Sequence, residues 1–354
     1  MSVEDPRLTV LIASPLEPEY VERMRTVAPE RVEVVYTPDL YPPARYVADH
    51  HGPPDFHLDS AQERRWREHL RAADVLWDFP EVDRDGPGLL EFAPKLRWVQ
   101  TTSAGVGPLV ERLGLTESDV IVTTSSGVHA RPLAEFVFMA LLTHVKELDR
   151  LRADQQAHRW ERFCSGELDG KTLAVVGPGK IGRQVAAIGR AFGMRVLGLG
   201  RSGGPARARE LGFDELYTRP DLHEMLGQAD AVVLCCPHTP ETEGMIDRAA
   251  FAAMRPGVIF VNISRGQVVD EAALLDGLSA GKIVFAALDV FRKEPLPPES
   301  PFWDLPNVLI NPHSASTATS ENGKITDIFC HNLRCLLDGR PEEMRNVLDK
   351  RRLY

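Results

Sequence analysis

Residues 171–193 read "KTLAVVGPGKIGRQVAAIGRAFG". "TLAVV" is an apolar run of strand length that ends at Gly177. The residues after it repeat with helical spacing: Ile181, Val185, Ile188 and Phe192 share one face, and Gly193 supplies a stop. A G-x-G-x-x-G turn between a strand and a helix has a physical purpose. Gly177 makes the tight turn, Gly179 lets the backbone approach a pyrophosphate, and Gly182 lets helix and strand pack closely. Lys180 and Ile181 open the helix, whose unpaired N–H groups and dipole favour an anion. The competing reading is a tight βα turn that binds nothing.

The stretch "VLGLGRSGG", residues 196–204, tests the first reading. Such a turn usually calls for an acidic residue about 20 positions on, which holds the adenosine ribose hydroxyls. Arg201 and Ser202 stand there instead. An acid would repel a 2′-phosphate. A guanidinium fork and a hydroxyl donor suit one. The expected cofactor is therefore NADP(H). The alternative, in which Arg201 only stacks on adenine and NAD(H) binds, stays open.

Outward from this turn, apolar runs alternate with helical patterns. Upstream lie "LTVLIAS", "VEVVYT", "DVLWDF", "LRWVQTT" and "VIVTTS", separated in part by "EPEYVERMRTV" and "SAQERRWREHLRAA". Downstream lie "RVLGLG", "ELYT", "DAVVLCCP", "GVIFVNIS", "IVFAALDV" and "NVLINPH". Strand–helix alternation implies parallel sheets covered on both faces. The chain has 354 residues, which at about 150 per domain gives two. The expected fold is α/β. Between the halves, "PLAEFVFMALLTHV" is apolar nearly all round, so it is expected to be buried, either in the fold or against a second subunit. If the halves form separate sheets, the last helix, "GKITDIFCHNLRCLLDG", returns to the first. Residues 38–60, rich in Pro, His and Asp, read as a long loop that is either functional or mobile.

Composition excludes several classes. Apolar residues make up 43% and charged residues 26%, ordinary for a globular protein. The net charge of −10 disfavours nucleic acid as a partner, although local arginines can still gather an anionic substrate. No apolar stretch approaches the roughly 20 residues of a membrane span. The start, "MSVEDPRLTVLIASP", lacks the basic region of a signal peptide. Five cysteines in no zinc-like spacing point to a reducing, cytoplasmic location and to no metal. Cys235 and Cys236 sit in an apolar run and read as inert buried thiols, which leaves a redox-sensing role little support.

Three stretches carry chemistry: "VNISRGQVVDEAAL", "ALDVFRKEPLP" and "LINPHSAS". Each places a chargeable residue, Arg265, Glu294 or His313, just after a strand, where open α/β sheets bind ligands. Carbonyl reduction by hydride needs a cation for the substrate anion, an acid for the new alkoxide, and a partner that keeps the acid protonated. Arg265, His313 and Glu294 can fill these roles. Singly, each reads as a surface ion pair, a loop charge or a cap.

These residues bring out a resemblance that runs over most of the chain. "LRWVQTTSAGVG", "GVHARPLAEFV", "GPGKIG", "MRPGVIFVNISRGQVVDEAALLDGL", "ALDVFRKEPLPPESPFWDLPNVLINPH" and "NVLD" resemble the D-isomer-specific 2-hydroxyacid dehydrogenases. The resemblance implies two Rossmann-like doubly wound parallel-sheet domains with the active site in the cleft between them. Residues 1–126 plus 314–354 would form the flavodoxin-like substrate (catalytic) domain, and 127–313 the dinucleotide-binding domain. It implies a homodimer through the long linking helix. It assigns catalysis to Arg265, Glu294 and His313, with Glu294 bonded to His313 and His313 delivering the proton to the substrate C2 oxygen. Arg265 would clamp the carboxylate of a small 2-keto acid, helped by backbone N–H groups of Ser103, Ala104, Gly105 and Val106. Asp289 would orient the nicotinamide carboxamide. Cys236, Pro237 and Thr242 would lie beside the nicotinamide and its ribose, with Ile263 and Ser264 also in the cofactor site.

Departures bear on the substrate. Gly107 stands where the family often has Asp after "SAGV", and the 38–60 loop is longer than usual. Arg201-Ser202 resembles the NADPH-preferring glyoxylate and hydroxypyruvate reductases. Formate dehydrogenases of this fold carry Gln where Glu294 stands, so that activity is not expected. Phosphite oxidation keeps all three catalytic residues and stays open. So does a regulatory reading, because some corepressors resemble the family and bind the cofactor. The chain shows no docking tail after "NVLDKRRLY", which favours the enzyme.

Overall fold

The computed structural model describes residues 7–80 and 88–353. The chain divides into two compact units, Met1–Val128 with Thr317–Tyr354, and His129–Ser316. Each is built on a parallel sheet, as strand–helix alternation requires.

In the first unit the strands are β1 (Leu8–Ile12), β2 (Val32–Val35), β3 (Val75–Trp77), β4 (Trp98–Gln100) and β5 (Ile121–Thr123), in the order β2-β1-β3-β4-β5. Side chains alternate between faces. Val10, Ile12, Trp77 and Trp98 pack on one side with the final helix, Glu321–Leu337. Leu11, Leu76, Val99 and Val122 pack on the other, with Leu70, Leu89 and Val110 from shorter helices. The final helix is tied to the sheet by Phe329, whose ring stacks on Trp98 at 4.8 Å and meets Trp77 edge-on at 5.7 Å. A fully buried aromatic of this size contributes about 1.5–3 kcal/mol by burial alone.

The 38–60 segment folds around one carboxylate. The side chain of Asp49 is completely buried. It accepts from Arg45 Nε at 2.7 Å and Nη2 at 3.0 Å, and from the backbone N–H of Arg45, His51 and Gly52. The next side chain, His50, is 8% exposed, with Nε2 3.8 Å from Glu321 Oε1. That is an ion-pair distance, longer than a hydrogen bond.

The second unit holds β6 (Thr172–Val176), β7 (Arg195–Leu199), β8 (Glu215–Tyr217), β9 (Ala231–Leu234), β10 (Val258–Asn262), β11 (Ile283–Leu288) and β12 (Val308–Ile310), in the order β12-β11-β10-β9-β6-β7-β8. The chain runs outward from β6 to β8 and then crosses back to β9. The strand order therefore reverses between β6 and β9, where doubly wound sheets bind ligands.

Helix Ala130–Val145 is buried along one face and exposed along another. It presses Leu133, Ala134, Val137, Phe138 and Leu141 onto one face of this sheet. Arg131, Glu135 and Met139, four apart, form an outward stripe, with Met139 48% exposed. Arg131 Nε donates to Glu135 Oε1 at 2.7 Å along that stripe. The helix is apolar enough to hide the stripe from a reading of composition. Glu147, at φ 52°, then ends it before a second helix, Leu148–Gln156.

Candidate active site

The glycine turn at the end of β6 is built as its spacing requires. Gly177 adopts φ +106°, and a Cβ there would lie 2.7 Å from the backbone nitrogen of Cys236 at the end of β9. Gly182 sits so close to the turn that a Cβ would lie 2.0 Å from Gly177 O. Nothing stands within 4 Å of a Cβ on Gly179, so that residue is free for backbone approach. Gly179 is the N-cap of helix Lys180–Ala191, and its lack of a side chain leaves the first-turn N–H groups without a side-chain cap. Lys180 is exposed, its pKa lowered by partial burial and Arg183. Ile181 packs into the sheet core. These features fit a dinucleotide pyrophosphate: the cradle is closed where side chains would collide and open where a ligand would approach.

Beside it, Arg201 and Ser202 are exposed after β7. The turn that carries them is pinned to β8 by Gly200 N–H to Tyr217 O at 3.0 Å and Gly204 N–H to Leu216 O at 3.1 Å. After β9, Cys236 is buried, and burial pushes its thiol up to about 11. Cys235 is raised further by the same cause. Both are poor thiolates at neutral pH. Thr242 Oγ1 accepts from Thr239 N–H and donates to Pro237 O, each at 2.8 Å, which fixes the 237–242 loop.

Arg265, Glu294 and His313 follow the ends of β10, β11 and β12. His313 Nδ1 is 2.7 Å from Glu294 Oε2, and Glu294 Oε1 accepts from Phe291 N–H at 2.9 Å. Both carboxylate oxygens are thus engaged, and the imidazole is turned so that Nε2 points away from Glu294. The side chains are 42% and 36% exposed, open to a reacting group. His313 adopts φ 52°, sparsely populated for a non-glycine residue. Its N–H donates to Asp289 O at 2.9 Å and to Asn311 O at 3.0 Å. Backbone strain of this kind collects at functional sites.

Arg265 is exposed after β10, and its Nη1 donates to Ser264 O at 2.7 Å. It is aligned with the His–Glu pair through the backbone: a Cβ on Gly266 would lie 2.0 Å from Phe291 C, so the Arg265 turn rests on the segment that leads to Glu294. Ile263 and Ser264 are buried. Asp289 is 2% exposed and accepts from Asn311 Nδ2 at 2.6 Å and Ala315 N–H at 3.0 Å, which ties β11 to the His313 loop.

In the first unit, Ser103, Ala104 and Gly105 are exposed at the end of β4, and Val106 is buried. Ser103 O accepts from Thr101 Oγ1 at 2.5 Å and from Ser125 N–H at 3.2 Å, so the loop is braced from two sides. Gly107 has its own reason. A Cβ would lie 2.3 Å from Leu353 O and 2.7 Å from Leu353 Cβ, because the C-terminal segment packs on it.

A family model for the NAD-binding domain of the D-isomer specific 2-hydroxyacid dehydrogenases matches residues 138–315. The chain belongs to this family. Among its 2-hydroxyacid dehydrogenase relatives, it is 39% identical over 254 residues to the D-3-phosphoglycerate dehydrogenase of Mycobacterium leprae, 71% of this chain and 47% of that protein. The chain thus spans about half the length of this curated relative. A crystal structure of a family protein from Aeromonas salmonicida superposes with a TM-score of 0.78 at 30% identity, covering 98% of this chain and 100% of that one. The NADPH-dependent glyoxylate/hydroxypyruvate reductase of Sinorhizobium meliloti, solved with NADP and sulfate, superposes with a TM-score of 0.72 at 27% identity over 98% and 100%.

Two asparagines escaped the sequence reading. Asn262 Oδ1 accepts from Ser264 N–H at 3.0 Å and Ser264 Oγ at 2.8 Å, and its Nδ2 donates to Arg265 O at 3.3 Å, setting the turn that presents Arg265. Asn311 holds Asp289 and accepts from His313. The signal was a polar residue inside an apolar strand, in "FVNIS" and "LINPH". Among the described residues no helix is long and apolar enough to cross a membrane, and no His/Cys/Asp/Glu group is placed to hold a metal.

Proposed function

We propose that this chain catalyses stereospecific reduction of a small 2-keto acid of the glyoxylate or hydroxypyruvate kind to the D-2-hydroxy acid, with NADPH favoured over NADH. The observation that carries this is the Glu294–His313 hydrogen bond at the ends of β11 and β12, in the same unit as the glycine turn. The bound nicotinamide supplies the hydride. His313 Nε2 delivers a proton to the C2 oxygen, and Glu294 stabilises the imidazolium that donates it. Arg265 pairs with the substrate carboxylate, and the backbone N–H groups of Ser103, Ala104, Gly105 and Val106 are the substrate-binding groups proposed for the first unit. Gly177, Gly179, Lys180, Ile181 and Gly182 hold the pyrophosphate. Arg201 and Ser202 take the 2′-phosphate, Cys236, Pro237 and Thr242 flank the nicotinamide and its ribose, and Ile263, Ser264 and Asp289 complete the nicotinamide end.

Further parts of the reading follow from surface chemistry. Met139, Leu151 and Trp160, the last 96% exposed, leave apolar area on or just beyond the two helices 130–145 and 148–156, which suits a homodimer. Five cysteines without disulfides suit the cytoplasm.

The test is a substrate panel. Purified protein is assayed for NADPH oxidation with glyoxylate, hydroxypyruvate and larger 2-keto acids, and for reverse turnover with D-3-phosphoglycerate and phosphite. Turnover on a short 2-keto acid with NADPH supports the reading. Turnover confined to phosphite or phosphoglycerate, or cofactor binding without any turnover, replaces it with a phosphite-type, phosphoglycerate-type or corepressor-like function.

A further inference from the structure

The turn that carries Arg201 is not isolated. It lies flat on the end of β8. A Cβ on Gly203 would sit 2.7 Å from Leu216 O and 3.0 Å from Thr218 Cγ2, so only glycine permits this approach. Beyond Thr218 comes Arg219. Its backbone is set by a reciprocal cap: Thr218 Oγ1 donates to Asp221 Oδ2 at 2.8 Å, and Asp221 N–H donates to Thr218 O at 2.9 Å. The Asp221 carboxylate is occupied by that cap. The Arg219 side chain turns back across the carboxyl edge of the sheet, and its Nη1 donates to Glu241 O at 2.7 Å, in the loop that follows β9.

β8 and β9 are separated in the sheet by β7 and β6. The end of β8 and the loop after β9 therefore meet at the edge of the sheet that also holds the ends of β7 and β6. Those are the ends that carry the Arg201 turn and the glycine turn. Charge effects agree with this placement: the Arg201 charge reaches the Glu241 carboxyl, and the Arg219 charge reaches the Cys236 thiol. Arg201 and Arg219 are both exposed at this edge of the sheet, and a guanidinium fork suits a phosphate.

We propose that Arg219 is a second cofactor-specificity residue, which pairs with the 2′-phosphate of a bound dinucleotide alongside Arg201 and Ser202. The inference rests on the reading that this chain binds a nicotinamide dinucleotide, and it divides the recognition of the phosphate between the ends of β7 and β8. A single Arg201 would leave the phosphate gripped from one side. Arg219 supplies the other side from an anchor that needs no rearrangement, since Nη1 is already held on Glu241 O.

Binding of NADPH, NADH, 2′,5′-ADP and 5′-AMP to wild type, Arg219→Gln and Arg219→Lys, followed by calorimetry, decides the matter. Arg219 is exposed and makes one hydrogen bond to a carbonyl, so the variants are expected to keep the wild-type melting temperature. The expected result is that wild type binds 2′,5′-ADP more tightly than 5′-AMP. Arg219→Gln then weakens NADPH and 2′,5′-ADP by about 5- to 20-fold and leaves NADH and 5′-AMP unchanged, with Lys recovering part of the loss. An equal loss for NADH and NADPH would place Arg219 on the adenine and overturn the proposal. So would an unchanged affinity ratio in Arg219→Gln. A wild type indifferent to the 2′-phosphate would overturn the NADPH preference itself, and the wild-type ratio alone shows which failed.

Discussion

Glu294 holds His313 by the Nδ1 nitrogen at 2.7 Å while its other oxygen is held by Phe291 N–H. The carboxylate is thus oriented before it orients the imidazole, and the tautomer is fixed with Nε2 directed away from the pair. A general acid placed by this means should be worth about 10²- to 10⁴-fold in rate. His313→Ala is expected to lower kcat by that order. Glu294→Gln keeps a group that can accept from Phe291 N–H yet cannot stabilise an imidazolium, so kcat should fall while KM changes little. Steady-state kinetics check both; a Glu294→Gln variant with wild-type kcat removes the carboxylate from the chemistry.

The proposed cofactor preference rests on Arg201. Arg201→Asp restores the side-chain type that accepts a ribose hydroxyl and repels a 2′-phosphate. The ratio of kcat/KM for NADPH over NADH is expected to fall by at least about 10²-fold, chiefly through KM for NADPH. An unchanged ratio would mean that Arg201 does not face the phosphate.

Gly107 tests the packing of the C-terminal segment. Gly107→Asp inserts side-chain atoms where Leu353 O and Cβ already lie. Overpacking of this kind costs about 1–3 kcal/mol. Denaturant unfolding should show that loss, and removal of residues 352–354 in the same variant should restore most of it. A stable Gly107→Asp protein would show that the segment yields freely.

The 38–60 loop carries two titrations of opposite sign. Burial by itself would lower the pKa of His50, but Glu321, with Asp78 and Glu17 behind it, outweighs burial and raises it. A histidine raised on folding stabilises below its unfolded pKa, near 6.5, and loses that contribution as pH climbs through the folded value. Asp49 is held well below the usual carboxylate range by the Arg45 guanidinium and three backbone N–H groups, against the opposing effect of its burial. Its contribution is present above the unfolded pKa, near 4, and is lost as pH falls further. Urea midpoints of His50→Gln should therefore converge on wild type at high pH and fall below it at pH 6. Those of Asp49→Asn should fall below wild type at neutral pH and converge in acid. Parallel curves across pH for either variant would break the link between that group and the loop.

The sequence made the second unit legible because its signals are local. "TLAVVGPGKIG" carries strand, turn and helix in one stretch; Gly177 and Gly182 stand where a Cβ would strike Cys236 or Gly177 O, and Gly179 leaves the turn open. Glu294 and His313, 19 positions apart, could be brought together from their places after strands, but their hydrogen bond was implied only by resemblance, because it depends on β11 and β12 being neighbours. The 38–60 loop was opaque for a related reason. Its order comes from Asp49 gathering nearby amides and from His50 reaching Glu321, 271 residues later, and neither bond leaves a periodic trace. Asn262 and Asn311 went unread because one polar residue in an apolar strand looks the same whether it locks a turn or merely tolerates burial. Arg219 carries no signal in "LYTRPD", because its bond to Glu241 O joins segments 22 positions apart.

The most direct measurement is the initial rate of NADPH oxidation with glyoxylate and with hydroxypyruvate, for wild type and His313→Ala at equal cofactor occupancy. Saturable turnover by wild type, D-configured product, and a loss of about 10²-fold or more in His313→Ala with cofactor binding intact are the expected results. Equal rates in the two proteins, or full cofactor binding with no turnover on any 2-keto acid, would contradict a reductase centred on His313.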